Sequence, residues 1–308
     1  MDKMFFEIDD DVLDPCQDPT FKAIFTKDTP ESKAALNGLM SGFLDREAEV
    51  FSICVNEPPV DDIHDRQIRY DINCRFVTGE LADAEMTVFP DVSEVKRLEY
   101  YAAKLHTSQN LKGRNKSYKD AKETYQISFI VNGALFRDDV LVHRFEYYDA
   151  KNNISLEGCS HIITIELSKL NRVLQKAPEE MTREEAWAVF FRCSADKGRR
   201  AIINKIIKRE GAIAMAAQTL LTISRDEIER ARLLSEYKFE MDLQSKMVDA
   251  KREGLAEGRA EGRAEGREEG RVEERALLAG RLLKLNRPIE EIIEVTGLSR
   301  EAILKLSE

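Results

Sequence analysis

Two adjacent stretches with the residue pattern of β-strands, joined by a short turn, limit most strongly how this chain folds. The first stretch covers residues 67–76 and the second covers residues 81–88. Thr78, Gly79 and Glu80 lie between them, and glycine readily adopts the positive φ that tight hairpin turns require. The pattern therefore predicts an antiparallel β-hairpin, on which the neighbouring segments of the chain would assemble.

Each predicted strand of this hairpin carries an acidic residue at a similar distance from the turn. Asp71 lies on the first strand and Glu85 on the second, 14 residues further along the chain. In a hairpin of this length the two side chains can be neighbours across the ladder. Two facing carboxylates repel each other unless a proton or a divalent cation lies between them. This pair is therefore the first candidate for a functional site.

Helical and strand patterns alternate around the hairpin. Asp18 followed by Pro19 predicts a helix start, and Asp91 with Glu94 has the spacing of a capping box. Further helices are predicted at residues 30–44 and from residue 91 to about 109. Further strands are predicted at residues 50–56, 125–131, 142–148 and 161–167, of which 125–131 is apolar enough for a buried parallel strand.

Four short motifs, in the same order along the chain, resemble the PD-(D/E)XK nuclease superfamily and in particular the recombination-promoting nucleases, or Rpn-type transposases. The motifs are Asp18-Pro19-Thr20-Phe21-Lys22-Ala23-Ile24-Phe25, Tyr70-Asp71-Ile72, Glu85-Met86-Thr87 and Arg97-Leu98-Glu99-Tyr100-Tyr101. The resemblance covers roughly the first half of the chain, although the glycine–glutamate repeat near the carboxyl end is also typical of that family.

The resemblance implies an α/β fold, with a restriction-endonuclease-like αβββαβ core followed by an all-α carboxyl-terminal region that contains a long helix. The expected divisions are a flexible segment at residues 1–17, a nuclease-like core at 18–170, a helical extension at 171–223, the long helix at 224–286 and a small tail at 287–308. Trp187 falls in an apolar helical pattern of the extension and is expected in the core.

The implied activity is that of a Mg²⁺-dependent DNA endonuclease with a role in transposition or DNA recombination. Asp71 and Glu85 would hold the metal, Thr87 would complete the catalytic set, and the metal would activate a water molecule that attacks phosphorus. One departure matters, because the family has Gln or Lys where this chain has Thr87. The residues considered as substitutes are Lys96, Lys104, Gln109 and Gln126.

This departure keeps a second hypothesis open, in which the fold is retained while catalysis is weakened or lost. The protein would then act as an oligomeric DNA-binding scaffold. A third hypothesis, a purely structural coiled-coil protein, leaves the first half of the chain unexplained.

Overall composition gives no sign of nucleic-acid binding, since the net charge is −10. The segment 96–122 differs, with eight basic residues against two acidic ones, a local charge of +6. Beside the acidic pair this segment is predicted to contact DNA phosphates, although a solvated helix face is the plain alternative. The predicted DNA-binding residues are Lys96, Arg97, Lys104, Lys112 and Arg114.

Cysteine usage and hydropathy bear on location. The five cysteines form no C-x-x-C pair, which favours reduced thiols in a cytoplasmic protein over a zinc site. The sequence shows no signal-peptide pattern and no apolar stretch of membrane-spanning length. A cytoplasmic protein without a membrane segment is therefore expected.

The region from residue 224 to about 285 keeps a helical pattern interrupted only by glycine, and Ser224 with Glu227 is predicted to cap its start. Between residues 253 and 271, Glu, Gly, Arg and Ala recur every four residues. We call this the repeat segment. It places glutamates and arginines on nearly opposite helix faces, which cannot pair within one helix. Homo-oligomerisation through this helix is therefore predicted, with a solvated spacer as the alternative.

The tail at residues 287–308 resembles a small helix-turn-helix around Gly297. It carries three basic residues against five glutamates, so a packing role is favoured over DNA contact.

Overall fold

The computed structural model describes residues 6–57, 68–109, 111 and 117–306. It divides into two compact units, the first ending at Lys238 and the second comprising residues 239–308. The α-helices are α1 (Asp18–Phe25), α2 (Pro30–Phe43), α3 (Glu94–Thr107), α4 (Arg183–Cys193), α5 (Arg200–Arg209), α6 (Gly211–Arg225), α7 (Glu227–Lys284), α8 (Ile289–Thr296) and α9 (Arg300–Lys305).

The first unit is built on a mixed six-stranded sheet with the strand order β1-β2-β3-β4-β8-β5. Strands β3, β4 and β8 are parallel, whereas β1, β2 and β5 pair antiparallel with their neighbours. A separate pair, β6 and β7, forms a short hairpin. The strands are β1 (Val50–Ile53), β2 (Ile72–Phe76), β3 (Leu81–Thr87), β4 (Thr124–Ile130), β5 (Val142–Phe145), β6 (Tyr148–Asp149), β7 (Ile154–Ser155) and β8 (Ser160–Glu166).

The predicted hairpin is confirmed as β2 and β3, although β2 begins only at Ile72, so that Asp71 lies one residue before it. Gly79 has a φ of +93° in the connecting turn, a conformation that a residue with a Cβ rarely adopts. The predicted buried parallel strand is β4, which lies between β3 and β8. The strand predicted at 142–148 is interrupted, because β5 ends at Phe145 and Tyr148 belongs to the separate hairpin.

The main core lies on one face of the sheet, under α1, α2, α4 and α6. Phe21, Phe129, Trp187 and Phe191 form its centre; the rings of Phe129 and Phe191 have centroids 4.9 Å apart. The Trp187 side chain is 2% exposed, so its predicted core position is confirmed. Helix α3 covers the opposite face through contacts to β3, β4 and β8.

Residues 6–17 also belong to this core. Phe6, Leu13 and Cys16 are all buried, and the Leu13 amide donates a hydrogen bond to the Ser224 hydroxyl at 2.9 Å. The expectation of a flexible segment is therefore wrong for residues 6–17, while residues 1–5 lie outside the described part of the chain. The segment is held to α5 by the Phe6 ring, which lies 4.9 Å from the Arg200 guanidinium, and to α6 by the Leu13 hydrogen bond.

Three of the predicted helix caps differ from those in the structure. Gln17 occupies the N-cap of α1, and the Asp18 carboxylate instead pairs with Lys22. Ser93 occupies the N-cap of α3, and Asp91 accepts hydrogen bonds from its amide and hydroxyl. Each predicted cap lies within two residues of the observed one, since neighbouring polar side chains compete for the same backbone groups.

The third difference lies at the start of the long helix. The Ser224 hydroxyl donates back to the Leu220 carbonyl within α6, and Asp226 accepts from the amides of Ile228 and Glu229. The helical region is therefore divided at Asp226 into α6 and α7. At the start of α7, Leu233 is buried in the core of the first unit.

In the second unit, the end of α7 packs with α8 and α9. Ala279, Ile292 and Ile303 form a small apolar cluster, and Gly297 ends α8 with a φ of +67°. The two predicted tail helices are thus present. Among the residues that the structure describes, no helix combines the length and the apolar character needed to cross a bilayer.

Candidate active site

The site is built where β2 and β3 pair, because their register brings Asp71 and Glu85 together. Ile72, the first residue of β2, pairs with Ala84, so Asp71 and Glu85 are the residues that adjoin this last pair of the ladder. The Asp71 Oδ2 atom accepts a hydrogen bond of 3.0 Å from the amide of Met86, the residue after Glu85. Both carboxylates are largely buried, with exposures of 8% and 5%.

Alternation along β3 places further polar side chains beside Glu85. Asp83, Glu85 and Thr87 are separated by two residues each and therefore share a face of the sheet. Gln126 on β4 pairs with Asp83, and its amide nitrogen lies 2.7 Å from Asp83 Oδ2 and 3.4 Å from Glu85 Oε2. Asp83 and Gln126 are both fully buried.

Asp83 is a site residue that sequence reasoning missed. In the sequence it is one polar residue in an alternating strand, a pattern that normally indicates a solvent-facing position. Its place on the same face as Glu85 follows from the two-residue spacing alone, and this signal could have identified it. Its burial could not have been read from the spacing, because α3 and β4 supply the cover.

Lys22 approaches the acidic pair from α1. Its ammonium group lies 2.9 Å from Asp71 Oδ1 and 2.6 Å from Asp18 Oδ2. The Phe-Lys motif was noted in the sequence, but the contact between Lys22 and Asp71 depends on how α1 packs against the sheet. Lys22 is thus the second functional residue that the sequence did not assign to the site.

Arg97 approaches from the first turns of α3. Its guanidinium contacts Glu85 Oε1, and it also donates to Glu94 Oε1 at 2.6 Å and to Thr87 Oγ1 at 2.8 Å. Arg97 was predicted as a DNA contact, and in this structure its guanidinium is directed to the acidic site. Thr87 and Glu94 are in turn joined at 3.3 Å.

The electrostatics follow from burial and crowding of like charges. Burial, and secondarily the charge of Asp71, raise the pKa of Glu85 to about 7, although Arg97 opposes the rise. Burial, with Glu85 and Asp71 nearby, raises the pKa of Asp83 well above its usual range. Burial would lower the pKa of Lys22, but Asp71 and Asp18 outweigh it and the Lys22 pKa is raised. Lys22 therefore stays charged, whereas burial favours the protonated forms of Asp83 and Glu85.

Several buried polar atoms on this face have no hydrogen-bond partner among the described residues. They include Asp83 Oδ1, Gln126 Oε1 and Ser128 Oγ, and Ser128 pairs with Glu85 in the sheet register. Unpartnered buried polar atoms cost free energy, and their concentration beside Glu85 marks a place prepared for polar contacts. Within the described ranges, no group of three or more His, Cys, Asp or Glu side chains is arranged to hold a metal ion.

The other predicted site residues are more dispersed. Lys96 is exposed on α3, and the Lys104 ammonium lies 5.7 Å from the centre of the Tyr100 ring. Gln109 does not reach the site, because its side chain bonds the backbone of Lys122 on both the amide and the carbonyl. Lys112 and Arg114 lie outside the described residues.

The sequence and the structure were compared with protein families, with curated proteins and with solved structures. Neither the curated proteins nor the solved structures gave a match. Residues 15–250 match the family model described as PD-(D/E)XK nuclease family transposase. This span contains every side chain described above for the site, from Lys22 on α1 to Gln126 on β4. Because the match covers well over half of the chain, the protein belongs to the PD-(D/E)XK nuclease family of transposases.

Proposed function

We propose that this protein is a Mg²⁺-dependent DNA endonuclease that hydrolyses phosphodiester bonds, and that it acts in transposition or recombination. One observation carries the proposal: in a chain of a nuclease family, buried Asp71 and Glu85 lie together at the end of a hairpin and are flanked by Lys22 and Arg97. Acidic side chains with nearby cations are suited to bind a metal and to offset charge on a phosphoryl group.

The fold supports this proposal. In chain order, helices α1 and α2 precede strands β1, β2 and β3, which are followed by α3 and β4. We take this order as a restriction-endonuclease-like αβββαβ core, and we place its boundary near residue 170. The helical extension to residue 223, the long helix to 286 and the tail to 308 complete the proposed division.

The donor chemistry of the site fits a hard divalent cation. Carboxylate oxygens are the ligands that Mg²⁺ prefers, and unpartnered Asp83 Oδ1 is a further buried oxygen beside Glu85. Burial and, secondarily, the negative charge of Asp71 raise the pKa of Glu85, and a bound divalent cation would favour its ionised form instead. Asp71 and Glu85 would hold the ion, which when bound would polarise a phosphoryl oxygen and favour ionisation of a water molecule.

Side chains of the protein would stabilise the negative charge that develops on the phosphoryl group during cleavage. Lys22 and Arg97 each touch one of the two carboxylates, so both can move to the negative charge that develops on the phosphoryl oxygens. Thr87 can donate a hydrogen bond but brings no charge. In this proposal the cations from α1 and α3 therefore supply what Thr87 lacks.

A specific observation favours a second candidate function, that of an inactive DNA-binding protein. Lys22 and Arg97 already neutralise one oxygen each of Asp71 and Glu85, and Thr87 Oγ1 is held by Arg97 and Glu94. A site so paired resembles one in which side-chain cations have replaced a metal.

DNA is the proposed substrate, and the segment 96–122 is the proposed contact to its phosphates through Lys96, Arg97, Lys104, Lys112 and Arg114. We also propose that the protein forms homo-oligomers through α7. All five cysteines are free thiols, in keeping with the predicted cytoplasmic location.

A plasmid-nicking assay tests the function. Wild-type protein with Mg²⁺ should convert supercoiled plasmid to the nicked form, and EDTA should stop it. Asp71→Asn, which keeps the side-chain shape and can still accept from the Met86 amide, should reduce the rate at least a hundredfold, and Asp71→Ala should do the same.

The matched control is Asp149→Asn, on the exposed β6–β7 hairpin, which should nick like the wild type. Plasmid binding without nicking by the wild type would instead support the DNA-binding alternative.

A further inference from the structure

Gln126 is an unusual residue for its place in the fold. It lies on β4, which has parallel neighbours on both sides, and it is fully buried. Such strands normally carry apolar side chains, because both of their faces are covered. A buried amide costs free energy unless its hydrogen bonds are made, and Gln126 Oε1 has no partner among the described residues.

The contacts that Gln126 does make are both with site carboxylates. Its Nε2 donates to Asp83 Oδ2 at 2.7 Å and lies 3.4 Å from Glu85 Oε2. The first contact is short and the second is long for a hydrogen bond. Asp83 therefore anchors the amide, and the anchored amide faces Glu85.

Glu85 is consequently held from two sides. Arg97 contacts Oε1 from α3, and Gln126 approaches Oε2 from β4. Two donors on different oxygens of one carboxylate restrict the rotation of its plane. With only Arg97 in place, the carboxylate could turn about the bond that joins it to the side chain.

We propose that Gln126 is a positioning residue for the active site, which orients the Glu85 carboxylate toward Asp71 and is itself anchored by Asp83. This inference rests on the proposed nuclease function and adds a specific task to it. The task requires an amide of this length on β4. A shorter side chain would satisfy Asp83 and withdraw from Glu85.

The test uses the full-length protein and two substitutions. Gln126→Met keeps the length and volume of the side chain but removes the amide. Gln126→Asn keeps the amide but shortens the side chain by one methylene group, so that it can still pair with Asp83 and remains a usable variant if the first one does not fold. The control is Thr164→Val, which removes a fully buried and unpartnered hydroxyl from the same sheet.

Two measurements are compared. Steady-state cleavage of DNA with Mg²⁺ should show kcat lowered at least tenfold in both Gln126 variants, with KM changed less than twofold. Calorimetric titration with Ca²⁺, without DNA, should show metal affinity lowered at least threefold. Thr164→Val should match the wild type in both. Adding Thr87→Gln, which supplies an amide on the same face of β3, should restore part of the kcat lost in Gln126→Met.

The experiment distinguishes a failure of the Gln126 proposal from a failure of the proposed nuclease function. Unchanged kcat and unchanged Ca²⁺ affinity in both Gln126 variants would overturn the proposal, and so would equal losses in Thr164→Val, which would indicate general packing damage. A wild-type protein that does not cleave DNA would overturn the proposed function alone. The Ca²⁺ titrations would then still decide whether Gln126 orients Glu85.

Discussion

At the scale of single residues, Glu85 is subject to opposing influences. Burial and the neighbouring Asp71 favour its protonated form, whereas Arg97 favours the carboxylate, and the resulting pKa is about 7. The usual value for a glutamate is 4.5. A native state that holds this proton more tightly than the unfolded chain is most stable at low pH, and it loses that contribution as pH rises through the native pKa.

This leads to a prediction for the substitution Glu85→Gln, which replaces the titratable carboxyl group by an amide that does not ionise. Relative to the wild type, the variant should gain stability as the pH rises from 5 to 8. The difference in pKa sets an upper bound of about 3 kcal/mol on that gain. Urea unfolding of both proteins at each pH measures it.

Glu85→Gln also alters the contact to Arg97, which shifts stability for reasons other than titration, so the change in the difference with pH is the quantity that decides. The control Glu179→Gln, at an exposed position, should follow the wild type. A difference between Glu85→Gln and the wild type that stays constant from pH 5 to 8 would contradict the raised pKa.

At the scale of elements, local pattern predicted the β2–β3 hairpin well. Gly79 fixes the turn, and the similar spacing of Asp71 and Glu85 from it follows from chain length alone. Gln126 was named among the possible substitutes for the family residue at position 87, whereas Lys22 was not assigned to the site, and local pattern predicted the contacts of neither. Their contacts to Asp71 and Glu85 depend on how α1 and β4 pack against the hairpin, and such packing is set by the whole core rather than by neighbouring residues.

Helix boundaries also depend on contacts between distant parts of the chain, which local sequence does not show. Ser224 and Asp226 are both good cap residues, and two positions separate them. The structure uses Asp226 because the Ser224 hydroxyl is already engaged by the Leu220 carbonyl and the Leu13 amide. The second of these contacts spans 211 residues, so no local reading of the sequence could have included it.

The basic segment 96–122 supports a prediction about DNA binding. Its charge of +6 should release counterions when it meets phosphates, which makes affinity depend on salt. Replacing Lys104, Lys112 and Arg114 together by Ala should reduce the slope of log Kd against log salt by about 2 to 3, at roughly 0.9 per phosphate contact. Fluorescence anisotropy at several salt concentrations, with EDTA to prevent cleavage, measures the slope.

A triple variant with equal charge loss elsewhere gives the control for this experiment. Lys151, Lys197 and Lys208 are exposed residues outside the segment, and their replacement by Ala should leave the slope nearly unchanged. Equal slopes for the two triple variants would mean that DNA does not contact the basic segment.

At the scale of the whole molecule, the long helix α7 exposes apolar side chains that nothing within one chain covers among the described residues. The side chains of Leu243, Met247 and Leu255 are between 50% and 67% exposed. In the repeat segment, a Cβ added to Gly258, Gly262 or Gly266 would meet nothing within 4 Å. Each glycine lowers the stability of a helix. The glycines of the repeat segment would be explained if they allow a second helix to pack closely against α7.

The structure also shows where the chain can be divided to test self-association. Leu233 is buried in the first unit, and Arg230 pairs with Asp11 at 2.6 Å. A truncation near residue 223 would therefore remove part of the core. A chain that ends at Lys238, the boundary of the first unit, keeps these contacts and is the appropriate comparison.

We predict that the full-length protein is an oligomer held by the repeat segment, because Glu and Arg lie two residues apart in each Glu-Gly-Arg-Ala unit and cannot pair with each other along one helix. One full-length variant changes Glu257, Glu261 and Glu265 to Arg, and a second changes Arg259, Arg263 and Arg267 to Glu. Each alone should be monomeric by light scattering at micromolar concentration, because like charges would meet, and an equimolar mixture of the two should recover the oligomer. Monomeric wild type, or oligomers that persist in both variants and in the chain ending at Lys238, would assign the repeat to a solvated spacer.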